Sequence, residues 1–399
     1  MWRAGFASED VTPGLGVGLI GYDFRQRKLA AGNTGVRDPL LVRALAIADG
    51  RSTAILVSLD LAVLEPNVAR HLRQKVAQHV ELPIANVILA CTHAHSGPLP
   101  CVPRSAPVAG ETPIGFPPAD GDWSCLLEKR ICDAAARAAG LTYPVTIGVR
   151  EAPFGLAYNR RVPVGRGRIA HCWNPQEYPD LDPTVSADPA CVVAVLRQVN
   201  GPRRFIVLNI GAHGVCLGKT SHVVSADWPG AACRFLDAER PHTHSLFLAG
   251  ACGDTHPWIA TQEDACMMEQ VGRAAAAFAA VLAEAPSPAA RERDRLVCVA
   301  RTIQFGGDKV DLTVWRIGEL AVAALPVELF ASLGANLRRR AGKPLLLATC
   351  ANGWHGYWPH RHAFSEGGYE VEGARQAGRK PGDGEKLVGY VASLMRRET

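Results

Sequence analysis

The chain has 399 residues, of which 48% are hydrophobic and 20% charged, a balance that excludes a disordered or fibrous chain and allows a sizeable core. A net charge of +5 is small for this length, and no basic stripe with interleaved aromatics is present, so nucleic acid is not an expected partner. The start, Met1-Trp2-Arg3-Ala4-Gly5-Phe6, lacks the apolar stretch of a secretory signal, and apolar runs elsewhere are short and broken, so no membrane anchor and a cytoplasmic location are expected.

In chain order, Thr53 to Ser58 reads as a strand. Pro66 to Val80 reads as a helix, with Val68, His71, Leu72, Val76 and Val80 at helical spacing. Val87 to Cys91 reads as a second strand, so the three form a βαβ unit with parallel pairing. Residues 98–122 are rich in Pro and Gly and read as a long loop. Leu126 to Ala139 is predicted helical and Val145 to Val149 extended. Residues 158–190 read as irregular. Strands are predicted over Cys191 to Leu196, Phe205 to Ile210 and Leu246 to Gly250. Helices are predicted over Gly230 to Ala238 and from about Asp264 to Glu284. A polar segment at 286–295 is a candidate subdomain boundary, followed by strands near Leu296–Gln304 and Leu320–Leu325 and a helix near Leu329. The expected fold is α/β: a mixed, largely parallel sheet with flanking helices, in one large domain spanning 1–399. The twelve cysteines contain no C-x-x-C pair and read as reduced, core-filling thiols.

Four predicted strands run into residues able to bind a metal. Val87 to Cys91 runs into Thr92-His93-Ala94-His95-Ser96-Gly97-Pro98. Phe205 to Ile210 runs into Gly211-Ala212-His213. Leu246 to Ala249 runs into Gly253-Asp254-Thr255-His256-Pro257, and Leu320 to Leu325 into Pro326-Val327-Glu328. In an extended backbone His93 and His95 point to one side. Ligand sites in α/β folds gather outside the carboxyl ends of strands. Neutral imidazoles and a carboxylate suit zinc with an open position, and zinc lowers the pKa of water toward ~7. The same residues have plainer readings. His213 alone is also what a hydrogen-bonded core histidine looks like, and Glu328 could cap the helix near Leu329.

Asn352 to Glu370 is dense in aromatics and imidazoles. It reads either as a loop covering the core or as a wall over a pocket, with Tyr hydroxyls facing a metal or an oxyanion. Arg160 reads as a surface charge or as a clamp on an anion or carbonyl.

Taken in order, these motifs resemble the catalytic domain of the neutral/alkaline (non-lysosomal) ceramidases. The resemblance runs from Gly5-Phe-Ala-Ser-Glu-Asp-Val-Thr-Pro13 through Arg37 to Arg43, Val57-Ser-Leu-Asp60, Thr92 to Pro98, Asn159-Arg160, Ala212-His213, Ser225-Ala-Asp227, Gly253-Asp254 and Pro326-Val-Glu328. It ends with Asn352 to Glu370. It implies zinc (Zn2+) held by His93, His213, Glu328 and Tyr357, with His95 beside the metal and Arg160 and Tyr369 lining the catalytic centre. It also implies a zinc-activated water attacking an amide carbonyl, while nearby side chains stabilise the oxyanion and protonate the leaving amine.

Two departures shape the expectation. Family members carry Gly-Asp-Val-Ser-Pro where this chain has Gly253-Asp-Thr-His-Pro257, so His256 stands in place of a serine. It could serve as a general acid/base or an extra ligand, or reshape the pocket. The chain also ends at Thr399, and the family's C-terminal β-sandwich domain is not expected. The expected function is therefore hydrolysis of an amide bond in a small, soluble N-acyl substrate. His93, His213, Glu328 and Tyr357 would hold zinc, and His95, Arg160, His256 and Tyr369 would act in catalysis. An ester or lactone hydrolase, a metal-dependent lyase on the same site and a non-catalytic ligand-binding pseudoenzyme are the alternatives. A small molecule is the expected partner; oligomeric state has no signature in the sequence.

Overall fold

In the central strands both faces are apolar. In Leu41–Ala48 (β2), Val42, Ala44 and Ala46 enter one core while Leu45 and Ile47 enter another. In Thr53–Leu59 (β3), Ile55, Val57 and Leu59 alternate in the same way with Ala54 and Leu56. A strand covered on both faces reads as a continuous apolar run, which is why these segments are legible as strands. The computed structural model describes residues 1–22, 32–102, 121–178, 187–285 and 295–397. Parts of the expected loop at 98–122, of the irregular 158–190 segment and of the boundary at 286–295 lie outside them.

Eight strands make the main sheet. They are Arg3–Asp10 (β1), β2, β3, Val87–Cys91 (β4), Tyr143–Pro153 (β5), Ala190–Gln198 (β6), Arg204–Ile210 (β7) and Thr243–Ala249 (β8), in the order β8-β7-β6-β5-β1-β2-β3-β4. The mixed α/β expectation holds, but the sheet is not largely parallel. Only β3 with β4 and β7 with β8 run parallel, and the other neighbours are antiparallel. Short connections account for the antiparallel pairs β2–β3 and β6–β7, while β1–β2 and β5–β6 are antiparallel across the long links 11–40 and 154–189. Asp49 closes the β2–β3 link as a tight turn, its Oδ1 accepting from the amides of Arg51 and Ser52 (both 2.8 Å), and short links force antiparallel pairing. Helical crossovers lie only where the two parallel pairs occur, through Pro66–His79 (α1) and Asp227–Glu239 (α3). Helix Gly121–Gly140 (α2) joins α1 on one half of the outer face. Helix Ala265–Glu284 (α4), capped by the Asp264 carboxylate, joins α3 on the other half.

Helix α4 is long and apolar enough to cross a membrane by length and composition, which corrects the expectation that no run reaches that length. One face of it, with Met268, Val271, Ala275 and Ala279, is buried against Trp228 and Leu236 of α3, and about 33% of the apolar window is buried. A Cβ at Gly272 would sit 2.5 Å from the Ala231 methyl, so the two helices approach closely.

The opposite face of the sheet packs on a second one. This is Leu296–Phe305 (β9), Asp308–Ile317 (β10), Leu320–Ala324 (β11) and Leu345–Ala348 (β12), in that order. Trp315, Ile317, Val322 and Leu346 share a core with Leu56, Ile147 and Val207 of the first sheet. Each such side chain contributes about 1.5–3 kcal/mol when fully buried. Helices Ala331–Ala341 (α5) and Asp383–Arg397 (α8) cover the outer face of the second sheet. All twelve cysteines are free thiols; seven are buried, but Cys101, Cys125, Cys132 and Cys298 are half-buried and Cys266 is exposed, so core filling holds only for part of them.

One further feature places the site. The main sheet coils until its two ends approach, so that the Ser58 hydroxyl in β3 donates to the Phe247 carbonyl in β8 (2.7 Å). The chain leaving β12 bridges both edges. Thr349 N donates to Ala249 O, Asn352 N donates to Leu89 O, and Cys91 N donates back to Cys350 O. The carboxyl ends of β4, β7, β8 and β11 are thereby gathered at one place.

Candidate active site

His93 leaves the end of β4 in the left-handed region, at φ 63°. The strand stops at Cys91, so the convergence of His93 and His95 comes from a turn and not from strand alternation. The ring centroids are 4.7 Å apart. The His95 ring lies against Gly21 (φ +105°), where a Cβ would stand 2.6 Å from the imidazole. We expect Gly21→Ala to displace His95 and to cost about 1–3 kcal/mol from backbone strain alone. Denaturant unfolding and steady-state turnover of the variant read the two effects.

Each of three rings turns one nitrogen outward onto a backbone carbonyl. His93 Nδ1 meets Ala62 O at 2.9 Å, His95 Nδ1 meets Gly21 O at 3.2 Å, and His213 Nδ1 meets Thr255 O at 2.9 Å. A carbonyl oxygen only accepts, so every Nδ1 is the donor and each neutral ring turns its Nε2 lone pair inward. The three rings form a cluster able to hold a metal ion. Glu328 enters from beyond β11, held by pairing of Glu328–Leu329 with Tyr357–Trp358. Its Oε1 accepts from Trp354 Nε1 (2.8 Å). Its Oε2 is buried, lacks a hydrogen bond, and stands 3.3 Å from both His93 Nε2 and His213 Nε2. Burial raises the Glu328 carboxyl, and it lies well below the usual range only with positive charge at the His93 and His213 ring edges, the place a bound cation would take. Burial first, then the Arg160 charge, lowers His213 to about 4. Lone pairs and a carboxylate oxygen facing one another in a dry site repel unless a cation or proton lies between them. The depressed pKa of His213 disfavours a proton on that ring, so the donor set fits a divalent ion.

Arg160 is the second centre of the site. It is buried; Nε donates to Glu370 Oε1 (2.7 Å) and Nη2 to Gly253 O (2.9 Å) and toward Tyr357 OH (3.4 Å). Its Nη1 lies 3.1 Å from His256 Nε2 and 3.3 Å from His213 Nε2. His256 Nε2 is therefore the acceptor in its contact with Arg160, and the ring proton belongs on Nδ1, which is buried without a partner. Burial, then Arg160, hold His256 well below its ordinary pKa. Thr255 points away and donates to Gly211 O (3.0 Å). Asp254 ties the turn down, accepting from Ala331 N (2.7 Å) and Asn159 Nδ2 (2.8 Å). Removing both acceptors in Asp254→Ala should cost about 1–3 kcal/mol by orphaning those buried donors, measurable by urea denaturation.

Tyr369 opens helix Tyr369–Gln376 (α7) and is 59% exposed at the mouth of the site. Its ring meets Tyr357 (5.6 Å) and His171 (5.9 Å). All eight candidate residues thus lie in one neighbourhood. Sequence reasoning missed Trp354, Glu370's grip on Arg160, and the pair His171 and Trp173. Trp173 stacks on His256 (4.7 Å) and meets His171 in a tilted contact (4.4 Å). The pair sits in the Pro- and Gly-rich 158–190 stretch, where no periodicity marks a functional side chain. Trp354 lies within the aromatic-rich run and was visible there only as density of rings.

A mixed α/β fold that converges three imidazoles, a carboxylate and a buried guanidinium on one point has the parts of a hydrolase. Residues 2–291 match the family described as neutral/alkaline non-lysosomal ceramidase, N-terminal. The chain belongs to this family, which makes it a hydrolase by kind. Glu328, Tyr357 and Tyr369 lie beyond the matched residues. The fold is similar to that of neutral ceramidase from Pseudomonas aeruginosa (TM-score 0.73, 16% identity, covering 99% of this chain and 75% of that one). It is equally similar to a ceramidase complexed with C2 (TM-score 0.74, 15% identity, the same coverage). No curated protein matches the chain.

Proposed function

We propose that the protein is a zinc-dependent amidohydrolase acting on a small N-acyl substrate. The observation that carries this reading is Glu328 Oε2, buried without a donor between two inward-facing imidazole lone pairs. His93, His213 and Glu328 would hold the ion, with the Tyr357 phenol beside Glu328 as the fourth donor. A divalent ion there acts as a Lewis acid that polarises a carbonyl and makes water nucleophilic near neutral pH.

The remaining steps belong to the side chains. Arg160, permanently charged and fixed by Glu370, faces developing negative charge on the carbonyl oxygen. His95 Nε2 lies 3.3 Å from His93 Nε2 and is placed to take a proton from the attacking water. The exposed Tyr369 hydroxyl is placed to donate to the leaving amine. His256, as acceptor from Arg160, positions the guanidinium in place of the family's serine. A soluble substrate is supported by the rim, where Trp173, His171 and Tyr369 combine flat rings with polar edges. We read the chain as one catalytic domain, because the two sheets share a core.

The test is metal analysis of the purified protein, followed by chelation, re-addition of single divalent ions and assay on short N-acyl amines, the matching esters and micellar ceramide. We expect about one zinc per chain, loss of turnover on chelation and faster cleavage of the short amides. Stoichiometric metal absent with turnover intact would overturn the reading. Hydrolysis in labelled water must place the label in the acid product, which a lyase does not.

A further inference from the structure

Outside the active site, four cationic side chains line an open groove of about 530 Å³. It lies where the short helix Ala363–Glu366 (α6) and α7 meet the segment leading to α8, and Arg361, Arg375, Arg379 and Lys380 line it with Phe364 and Ser365. No carboxylate is among its lining residues.

The four cations differ in kind. Arg379 is built in: its guanidinium pairs with Asp308, donates to Phe305 O (3.1 Å) and lies over the Trp358 ring at 4.5 Å. Arg375 is braced by Phe364 O (2.8 Å) and paired with Glu372 (2.6 Å). The ion pairs around the groove, His362–Glu366, Arg375–Glu372, Arg379–Asp308 and Lys386–Asp383, leave out the exposed Arg361 and Lys380. Their only contacts with nearby acids run through the backbone, Arg361 N to Glu385 and Lys380 N to Asp383. The exposed Arg361 and Lys380, with Arg375 beside them and the buried charge of Arg379 behind, surround one concavity and suit an anion with several oxygens, which Arg binds through its planar fork. The volume exceeds a bare phosphate and falls in the range of small-ligand sites. Phe364, almost fully buried, adds an apolar edge for an organic group.

We propose that this groove is a binding site for phosphate monoesters. The site is independent of the metal centre. The link between them is structural: Glu366 of α6 holds Arg161 (3.1 Å), and Arg161 shares Glu370 with Arg160.

The experiment is calorimetric titration of the full chain with phenyl phosphate, with inorganic phosphate and sulfate for comparison. Vesicles of phosphatidylcholine with and without phosphatidic acid form a parallel arm. We expect saturable one-to-one binding of phenyl phosphate, tighter than either inorganic ion and weakened by salt. In Arg361→Ala/Lys380→Ala, affinity should fall about tenfold or more, while Lys75→Ala, which removes a distant charge, leaves it unchanged. Both changed residues are exposed, and thermal melts check that the fold is kept. Binding only to vesicles containing phosphatidic acid, lost in the double variant, assigns the same chemistry to a lipid headgroup. No saturable binding in either arm, or binding undiminished in the double variant, overturns the proposal.

Discussion

Glu328→Gln should strip the metal from the protein and lower turnover by on the order of 10³-fold or more, while leaving the metal-free fold as stable as before or more so. The second half of that expectation is the informative one. The substitution conserves shape and removes one negative charge. If the centre holds a divalent ion, the metal-free wild type keeps a buried carboxylate oxygen facing two lone pairs. A carboxamide NH2 at that place can donate to His93 or His213 Nε2 and relieve the repulsion. If the cluster is instead an ion-paired core, with one imidazole protonated against Glu328, the same change breaks a buried pair and costs about 3–5 kcal/mol. Urea denaturation of chelated wild type and variant separates the two cases. Atomic emission analysis of the unchelated proteins reads the metal directly. A variant that retains one zinc per chain, or that loses several kcal/mol when both proteins are metal-free, contradicts the assignment of Glu328 as a ligand.

What could be read from the sequence followed the physics of each segment. β3, α1 and β4 were legible because a doubly buried strand is a continuous apolar run and an amphipathic helix keeps a 3.6-residue period. The direction of the sheet was not. A tight turn fixes the β2–β3 direction, and the Asp49-Gly50 turn carries that information locally, but the long links 11–40 and 154–189 carry no such local signal. The hairpin from β9 to β10 was half seen. Alternation in Asp308 to Ile317 and the Gly306-Gly307 turn announce it, yet only the first strand was predicted. At the site, four strand ends were recognisable as donors of ligands, but nothing local indicates that the sheet coils until β3 touches β8. Convergence is a property of the coil and of the Thr349 to Asn352 bridge. The role of His256 was also beyond sequence. Only the position of Arg160 Nη1 shows which ring nitrogen accepts.

Arg160→Met should be the most costly change after loss of Glu328, because one guanidinium serves both the chemistry and the fold. Removing it leaves Glu370, 1% exposed, with Arg161 as its remaining partner, and leaves Gly253 O and His256 Nε2 without their donor. We expect a stability loss of about 3–5 kcal/mol at neutral pH and a fall in kcat of about 10²–10³-fold, with KM changing much less. The pH dependence identifies the cause. Burial pushes the Glu370 carboxyl up, but Arg160 and Arg161 more than offset it, so its folded pKa lies below the unfolded value. The stability from this pairing is complete above the unfolded carboxylate pKa of about 4.3 and is lost as pH falls through the folded one. In Arg160→Met the folded pKa rises, so part of that stability is absent at every pH where Glu370 is ionised. The gap between wild type and variant should be widest near pH 7, narrow as pH falls through the variant's raised folded pKa, and close below the wild type's depressed one, so it is already smaller at pH 4. Arg160→Lys restores a charge without the planar fork, and should recover part of the stability at pH 7 but little of kcat, since an ammonium cannot hold Glu370, Gly253 O and His256 together. Unfolding free energies at pH 7 and pH 4, with kcat and KM measured separately, test both halves. A gap that ignores pH refutes the pairing, and full turnover in Arg160→Met refutes the place of the guanidinium in the reaction.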